Sequence, residues 1–145
     1  MESRGHSNFR YAYLAWIFAL VAALGSLFFG EVMKLNPCTL CWYQRVCLFP
    51  LTAIIAVGIV RRDEHLVAYA LPLVLAGHAI AIYHNGIQLG VIPETLSPCT
   101  GGTPCSERQI EWLGFLTIPV MSAGAFVAIL VSLIAHQRFR RSASS

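Results

Sequence analysis

The stretch from Asn36 to Arg45, NPCTLCWYQR, decides how this chain of 145 residues is organised. Asparagine is a favoured N-cap and proline suits the first helical position, so a helix is predicted to begin at Asn36 and Pro37. Cys38 then lies in the first turn. Cys41 follows three residues later and Arg45 four residues after that, which places all three side chains on one helix face. The positive end of the helix dipole and a nearby cation both favour the thiolate, which is the species that attacks disulfides. The spacing therefore predicts redox chemistry.

The composition around this stretch is that of a membrane protein. Hydrophobic residues make up 57% of the chain and charged residues 12%, with a mean hydropathy of +0.64. A hydrocarbon core of about 30 Å needs roughly 20 apolar residues for each helix that crosses it. The chain is predicted to be an all-α integral membrane protein, a bundle of four transmembrane helices in one domain. The predicted helices cover about 11–30, 37–60, 66–83 and 113–135.

Basic residues predict the orientation of this bundle. One side has Arg4, Arg10, Arg61, Arg62, Arg138, Arg140 and Arg141, and the other has Lys34, Arg45 and Arg108. The positive-inside rule then predicts cytoplasmic termini and two extracytoplasmic, cysteine-bearing loops, at about 31–37 and 84–112. The net charge is +3, and most of the basic residues flank apolar spans. They therefore indicate membrane topology and not a nucleic-acid partner. A cleaved signal peptide is the alternative for the first span, but its apolar run is longer than the usual 7–15 residues.

Four of the five cysteines fall into two pairs on the outer side, Cys38 with Cys41 and Cys99 with Cys105. Outside the cytosol, such pairs predict disulfides. The small Cys-x-x-Cys ring suggests a labile, catalytic bond, and the glycines at 101 and 102 would let the second disulfide be attacked by a protein partner. The alternatives are structural bracing and a zinc site with four cysteines. We expect no metal, because a zinc-bound pair on a membrane helix would gain nothing from Arg45.

Three other residues in or near the spans have side chains able to take part in chemistry. Arg45 lies inside an apolar span, where a charge is costly and suggests function, although an arginine there can also extend toward lipid phosphates. His84 is predicted at the outer end of the third span, where it either donates to a bound oxygen or is hydrated at the interface. Cys47 is predicted to be a buried free thiol.

Taken together, these motifs resemble those of the DsbB family of membrane thiol oxidases, particularly its short members of the BdbC type. The resemblance covers nearly the whole chain. The second cysteine pair is only six positions apart here, whereas the longest family members separate it by a much larger loop. The motifs that match are Pro37–Arg45, His84 with Gln88 and Leu89, Cys105–Gln109, Leu113–Phe115, and Ile118 with Pro119.

This resemblance implies a thiol:quinone oxidoreductase of the bacterial inner membrane, which it crosses several times. Such a protein reoxidises an extracytoplasmic thioredoxin-fold oxidase of the DsbA or BdbD kind. The electrons pass to a membrane quinone, ubiquinone or menaquinone, a route that keeps the bacterial periplasm oxidising. The partners implied are therefore the thioredoxin-fold protein, the lipid and the quinone pool, and protein disulfide formation and folding are the output.

The resemblance also implies a role for each site residue. Cys99 would be attacked by the partner's thiolate, and the released Cys105 would attack Cys38. Cys41 would be left as a thiolate facing the quinone, with Arg45 stabilising both the thiolate and the developing quinol oxygen. The residues implied to bind the quinone are Arg45 and His84.

Three rival functions are compatible with a small membrane bundle, and one of them is a disulfide-braced structural subunit, which should keep its function when Cys41 becomes serine. A quinone or vitamin K reductase of a related four-helix kind would use a similar cysteine relay, but its Cys-x-x-Cys lies on a late helix. A small multidrug transporter would need an intramembrane carboxylate for proton coupling, and the predicted spans contain none. The position of the first cysteine pair therefore favours the thiol oxidase.

Overall fold

Four long helices build the computed structural model, which describes residues 3–96, 99, 104–106 and 117–144. The helices are α1 (Ser3–Leu27), α2 (Thr39–Arg61), α3 (Leu66–Gln88) and α4 (Ile118–Ser144), with a π-helical turn at Phe28–Val32 and a 3₁₀ turn at Glu94–Leu96. No strand occurs in these described ranges. Four spans of 23 to 25 residues are apolar enough to cross a membrane, one for each long helix, and the first continues from α1 through the π-helical turn to Val32. The prediction of an all-α membrane protein with four spans is confirmed.

Alanines form the inner face of α1. Ala12, Ala15, Ala19 and Ala23 recur at helical spacing and are buried where α1 packs against α4 and α2. Large side chains such as Val21 are exposed on the other face. Lipid tails are as apolar as leucine, so helices in a membrane associate through close packing, and small residues let their backbones approach. The first helix is thus an integral part of the bundle.

A glycine and an aromatic ring join α3 to α4. The Phe126 ring is 1% exposed and packs directly on Gly77, where an added methyl group would collide with it. Leu51, Ile55 and Ile129 belong to the same buried cluster. Since interiors are close-packed, the ring and the glycine fix the distance between these two helices.

The turn between α2 and α3 closes one end of the bundle. Asp63 accepts hydrogen bonds from the His65 backbone N–H at 2.8 Å and from the Tyr69 hydroxyl at 2.7 Å. These bonds, the His65 N–H first, hold the pKa of the Asp63 carboxyl below its usual value. Arg140 of α4 donates to the Glu64 carbonyl at 2.6 Å and contacts its carboxylate at 3.2 Å. The carboxyl end of α4 is therefore tied to this turn.

Aromatic contacts bring the start of α1 to the same end. Phe9 lies against His136 with ring centroids 5.4 Å apart, and Tyr11 stacks on Phe139 at 4.9 Å. The α2–α3 turn, the amino end of α1 and the carboxyl end of α4 thus share one end of the molecule. Cys38 lies at the other end, at the start of α2.

Three helices extend further than the sequence predicted, and the first of them begins at Ser3, ahead of its predicted start near residue 11. The third helix continues to Gln88, beyond the predicted end near residue 83, because Asn85 donates to the Ala81 and Pro119 carbonyls from inside the bundle. The fourth continues to Ser144, beyond residue 135, where Arg140 contacts the α2–α3 turn. The predicted start of the fourth helix near 113 and the motif residues 107–109 and 113–115 lie outside the described residues.

Candidate thiol exchange site

The start of α2 presents the first cysteine pair differently from the prediction. Cys38, and not Asn36, is the N-cap, and its sulfur accepts from the Cys41 backbone N–H at 3.4 Å. The predicted helix start at Asn36 and Pro37 is therefore wrong. The physical reason is that Cys38 keeps an extended backbone, φ −70° and ψ 167°, so its own side chain caps the first turn. The sulfur is thereby held at the positive end of the helix.

Cys38 and Cys41, for which the sequence predicted a disulfide, are free thiols in contact with each other. Their sulfurs are 3.0 Å apart, Cys38 is buried, and Cys41 is half-buried. The hydrogen bond from the Cys41 thiol, aided by one from the His84 ring, lowers the pKa of the Cys38 thiol despite its burial. Cys38, which immediately precedes the apolar span, is therefore the more readily ionised sulfur.

The second pair, Cys99 and Cys105, forms a disulfide in which Cys105 is 1% exposed and Cys99 is half-buried. The pairing predicted from the sequence is thus present. Their loop folds back over α3, where Tyr83 donates to the Leu96 carbonyl at 2.9 Å. Farther along, Ser106 donates to the Glu94 carboxylate at 2.8 Å. The loop disulfide is held at the end of the bundle where α2 begins.

The two cysteine pairs belong to one buried cluster, which also includes Leu40 and Ile87. The Sγ atoms of Cys38 and Cys105 and a ring nitrogen of His84 all lie within 4.8 Å of one another. A metal on this trio would need Cys105 as a thiolate, but its sulfur is bonded to Cys99. The arrangement suits thiol–disulfide exchange between the pairs better than the zinc alternative.

His84 lies within α3 and is 2% exposed. Its Nε2 is 3.2 Å from the Cys105 carbonyl oxygen and 3.6 Å from Cys38 Sγ, and its Nδ1 is 3.3 Å from Gln44 Nε2. Ser122 of α4 donates to Gln44 Oε1 at 2.5 Å. The histidine is buried and hydrogen-bonded on both ring nitrogens, unlike a hydrated residue at the interface.

Sequence reasoning missed Gln44 and Ser122. The available signal was Gln44 itself, a polar residue in an apolar span one turn beyond Cys41 that is only 7% exposed. Buried polar groups need hydrogen-bond partners, so a glutamine there implies a polar contact on a neighbouring helix. Which partner it contacts depends on three helices meeting, and the linear pattern does not contain that information.

Arg45 is held by the end of α1. Its Nε donates to Ser26 Oγ at 2.8 Å, its Nη2 donates to the Ser26 carbonyl at 2.5 Å, and its guanidinium lies 5.6 Å from the Trp42 ring centroid. Gly30, in the π-helical turn, leaves the space that the guanidinium occupies, since a methyl group there would lie 2.7 Å from Nη2. Such π-helical turns are frequent at functional sites.

An apolar cavity of about 340 Å³ lies beside Arg45, between α1, α2 and α4. Phe18, Phe29 and Met121 contribute apolar lining, and Cys41 and Arg45 are among its few polar residues. Cys41 also packs against the cysteine cluster, so this one residue borders both sites. His84 is not among the lining residues.

Cys47 is placed apart from the other cysteines. It is a free thiol, half-buried, and packs against the hydrophobic core of the bundle and not against the cysteine cluster. The sequence predicted a buried free thiol, and the difference in exposure arises because its helix face is only partly covered by neighbouring helices.

Four membrane-spanning helices with two adjoining cysteine pairs, one of them bordering an apolar cavity, define a multi-pass membrane protein suited to thiol–disulfide chemistry. The family model described as disulfide bond formation protein DsbB matches residues 8–136. The chain belongs to the DsbB family.

The names of similar proteins agree with this assignment. Disulfide bond formation protein C of Bacillus subtilis is 40% identical over 121 residues, which are 83% of this chain and 88% of that protein. A probable disulfide formation protein of Metapseudomonas resinovorans is 41% identical over 126 residues, 86% of this chain and 88% of the relative. A probable disulfide formation protein of Chlamydia trachomatis is 41% identical over 122 residues, which are 84% of this chain and 88% of that relative. No solved structure matches the chain significantly.

Family and fold together establish the broad role. The protein is a multi-pass protein of the bacterial inner membrane, and it takes part in disulfide bond formation as an oxidoreductase.

Proposed function

We propose that this protein oxidises an extracytoplasmic thioredoxin-fold dithiol protein and passes the electrons to a membrane quinone. The observation that supports this most directly is the position of Cys41, whose sulfur is 3.0 Å from Cys38 Sγ while the residue also lines the cavity. Electrons that arrive by sulfur exchange at Cys38 are thereby delivered to the edge of an apolar chamber.

The order of the sulfur steps in this proposal is the one that the family resemblance implies. The partner's thiolate attacks Cys99, which breaks the Cys99–Cys105 bond, forms a mixed disulfide and releases Cys105 as a thiolate. Cys105 then attacks Cys38 of the oxidised first pair, the Cys38–Cys105 bond forms, and Cys41 leaves as a thiolate. The separation of the Cys38 and Cys105 sulfurs, within 4.8 Å, favours this second exchange. The partner resolves its mixed disulfide with its own second thiol and departs oxidised.

The cavity suits a quinone. It offers apolar walls for a ring, and Arg45 supplies a cation beside Cys41. Two of the Arg45 donor groups bind Ser26, and Nη1 has no hydrogen-bond partner within the described part of the chain. This group is therefore available to donate to a quinone oxygen. A bound quinone would supply the two-electron acceptor, while Arg45 would stabilise negative charge on Cys41.

The orientation is also part of the proposal. The arginines at 61, 62, 138, 140 and 141 flank the end of the bundle opposite Cys38, so the positive-inside rule favours a cytoplasmic location for that end. The cysteine cluster then faces the extracytoplasmic side, where a thioredoxin-fold partner would meet it.

Quinone absorbance in detergent tests the reaction. Reduced thioredoxin-fold oxidase is added to the wild type, to Cys41→Ser and to the control Cys47→Ser, with ubiquinone and menaquinone analogues tried in turn. Quinone reduction by the wild type and by Cys47→Ser, but not by Cys41→Ser, is the expected result. Absence of quinone reduction in all three, with a matched partner, would contradict the proposed function.

A further inference from the structure

A continuous chain of hydrogen bonds crosses the bundle from α4 to the cysteine cluster. Ser122 Oγ contacts Gln44 Oε1 at 2.5 Å, and Gln44 Nε2 contacts His84 Nδ1 at 3.3 Å. His84 Nε2 then reaches the Cys105 carbonyl at 3.2 Å and Cys38 Sγ at 3.6 Å. Gln44 and His84 are 7% and 2% exposed, so the chain is shielded from solvent. We call Ser122, Gln44 and His84 the polar relay.

The chemistry of each group fixes the direction of the relay. The Ser122 hydroxyl donates to the glutamine oxygen, which turns the amide NH₂ toward His84. Because an amide NH₂ can only donate, Nδ1 must accept, and the proton of neutral His84 is then on Nε2. That N–H points at the Cys105 carbonyl, which can only accept, and at Cys38 Sγ. Every donor in the relay therefore meets an acceptor.

The position of His84 separates it from the quinone chamber. Gln44 of α2 and Ser122 of α4 line the cavity, whereas α3, which carries His84, contributes none of the lining residues. His84 instead contacts one residue of each cysteine pair. Its surroundings are those of a group that acts on sulfur.

We propose that His84 acts in the exchange of disulfides between the two cysteine pairs, as an N–H donor to Cys38 Sγ, and that Gln44 and Ser122 are the residues that position it. This role rests on the proposed function, in which the two cysteine pairs exchange disulfides. It differs from the quinone contact that family resemblance implies for His84. In turnover, the Cys99 thiolate attacks Cys105 Sγ of the Cys38–Cys105 bond, the Cys99–Cys105 bond forms again, and Cys38 leaves as a thiolate whose charge the His84 N–H stabilises. The reverse step passes through the same geometry, and neither direction needs an outside oxidant.

Two effects of His84 favour this step. Its N–H stabilises negative charge on Cys38 Sγ, because a hydrogen bond to a charged group is stronger than one to a neutral group. Its hydrogen bond to the Cys105 carbonyl also holds that residue in position, so that the Cys38 and Cys105 sulfurs remain within 4.8 Å of each other. The same side chain thus activates one sulfur and positions the other.

Alkylation of Cys38 as a function of pH tests the proposal without quinone or partner. In the Cys41→Ser, Cys47→Ser background with the loop disulfide intact, Cys38 is the one free thiol among the five cysteines. Within the described part of the chain, the ionisable group facing it is His84 of α3, while Cys99 and Cys105 of the loop are held in their disulfide. Peptide mapping then counts label on Cys38, and label on Cys99 reports rearrangement to the Cys38–Cys105 bond.

Three variants are expected to raise the pH midpoint of Cys38 labelling. They are His84→Gln, Gln44→Leu and, more weakly, Ser122→Ala. A rise of about one pH unit for the first two corresponds to roughly tenfold slower labelling below the midpoint. Label on Cys99 should fall in parallel. The matched control is Ser132→Ala. Ser132 is a buried serine on α4, the helix of Ser122, but it lies ten residues further along and donates to the Ala128 carbonyl. Its midpoint should equal that of the background.

A fourth variant separates positioning from folding. In Gln44→Glu the carboxylate accepts from Nδ1–H, which keeps His84 charged and retains the Nε2–H, so the Cys38 midpoint should fall below that of the background. If Gln44 only supported the fold, glutamate and leucine at this position would not shift the midpoint of Cys38 labelling in opposite directions. Midpoints that stay unchanged in His84→Gln and Gln44→Leu, or that rise equally in Gln44→Glu and Gln44→Leu, would overturn the proposal.

Steady-state kinetics distinguish this role from a quinone contact. In the otherwise wild-type protein, His84→Gln is expected to lower kcat while the KM for quinone stays the same. A raised KM for quinone with an unchanged Cys38 midpoint would assign His84 to the cavity and reject the proposal. Failure of the wild type to reduce any quinone would instead reject the proposed function, and the labelling result would stand independently of it.

Discussion

Arg45 shows how single residues determine where a charge is held in an apolar span. Ser26 accepts from two of its donor groups, and Gly30 leaves room for the guanidinium beside the cavity. A charge at that depth is costly without such partners. Its position was predictable from the sequence, because a lone arginine in an apolar stretch is conspicuous. The roles of Ser26 and Gly30 were not, because they depend on contact between α1 and α2.

Arg45→Ala is expected to raise the KM for quinone by roughly tenfold or more, since a hydrogen bond to a charged group contributes about 1.5–3 kcal/mol. Exchange between the cysteine pairs should continue, because Arg45 is not part of the cysteine cluster. Steady-state kinetics with varied quinone give the first quantity, and mapping of the Cys38–Cys105 bond gives the second. Arg61→Ala, at the far end of α2, is the control. Unchanged quinone kinetics in Arg45→Ala would remove this residue from the quinone site.

Gly30→Ala tests the space reserved for the guanidinium. The new methyl group would displace Nη2, so the KM for quinone should rise in the same direction as in Arg45→Ala but by less. Gly124→Ala is the matched control, because a methyl group at Gly124 meets nothing within 4 Å. Equal kinetics for the two alanine variants would show that Gly30 has no part in placing Arg45.

At the scale of helices, the sequence predicted the spans well and their ends poorly. Long apolar runs identify membrane helices because length and hydropathy suffice for that purpose. The start of α2 was misplaced because the Cys38 sulfur caps the helix in place of the Asn36 side chain. The end of α3 was placed too early because His84 and Asn85 are polar in sequence but find partners inside the bundle.

The contact between α3 and α4 gives a prediction for stability. Gly77→Ala should lower the thermal midpoint in detergent, because overpacking a tight core typically costs about 1–3 kcal/mol and the Phe126 ring must move. Adding Phe126→Leu should recover part of the loss by giving the methyl group space. Gly25→Ala on α1, which meets nothing within 4 Å, is the control. If the double variant were no more stable than Gly77→Ala, the ring would not be the source of the strain.

The whole molecule has two chemically different ends. Arginines, Asp63 and the ends of α1 and α4 lie at one end, and the cysteine cluster lies at the other. The sequence predicted this polarity from basic residues and cysteine positions alone. It could not predict that the two cysteine pairs meet His84, since that contact requires the loop after α3 to fold back over the bundle.

Labelling of intact spheroplasts checks the orientation. After mild reduction, a membrane-impermeant maleimide should label Cys99 from outside, because the cysteine-bearing loops are extracytoplasmic in the proposed topology. Ser142→Cys, at the exposed carboxyl end of α4, should be labelled only after the membrane is permeabilised. Labelling of both positions from outside, or of Ser142→Cys alone, would contradict the positive-inside assignment.

Cys41 borders both the cysteine cluster and the cavity, and this position has a consequence for how thiols and quinones exchange electrons in the proposed function. Cys99 is half-buried within the cysteine cluster, and the apolar cavity adjoins that cluster through Cys41. In the proposed function, electrons from aqueous thiols therefore reach the lipid-soluble quinone through Cys41. A protein with this proposed function would join the two pools while restricting electron transfer between them to this one residue. In Cys41→Ser, small thiols should still open the loop disulfide while quinone reduction stops, and continued quinone reduction would reveal a second route.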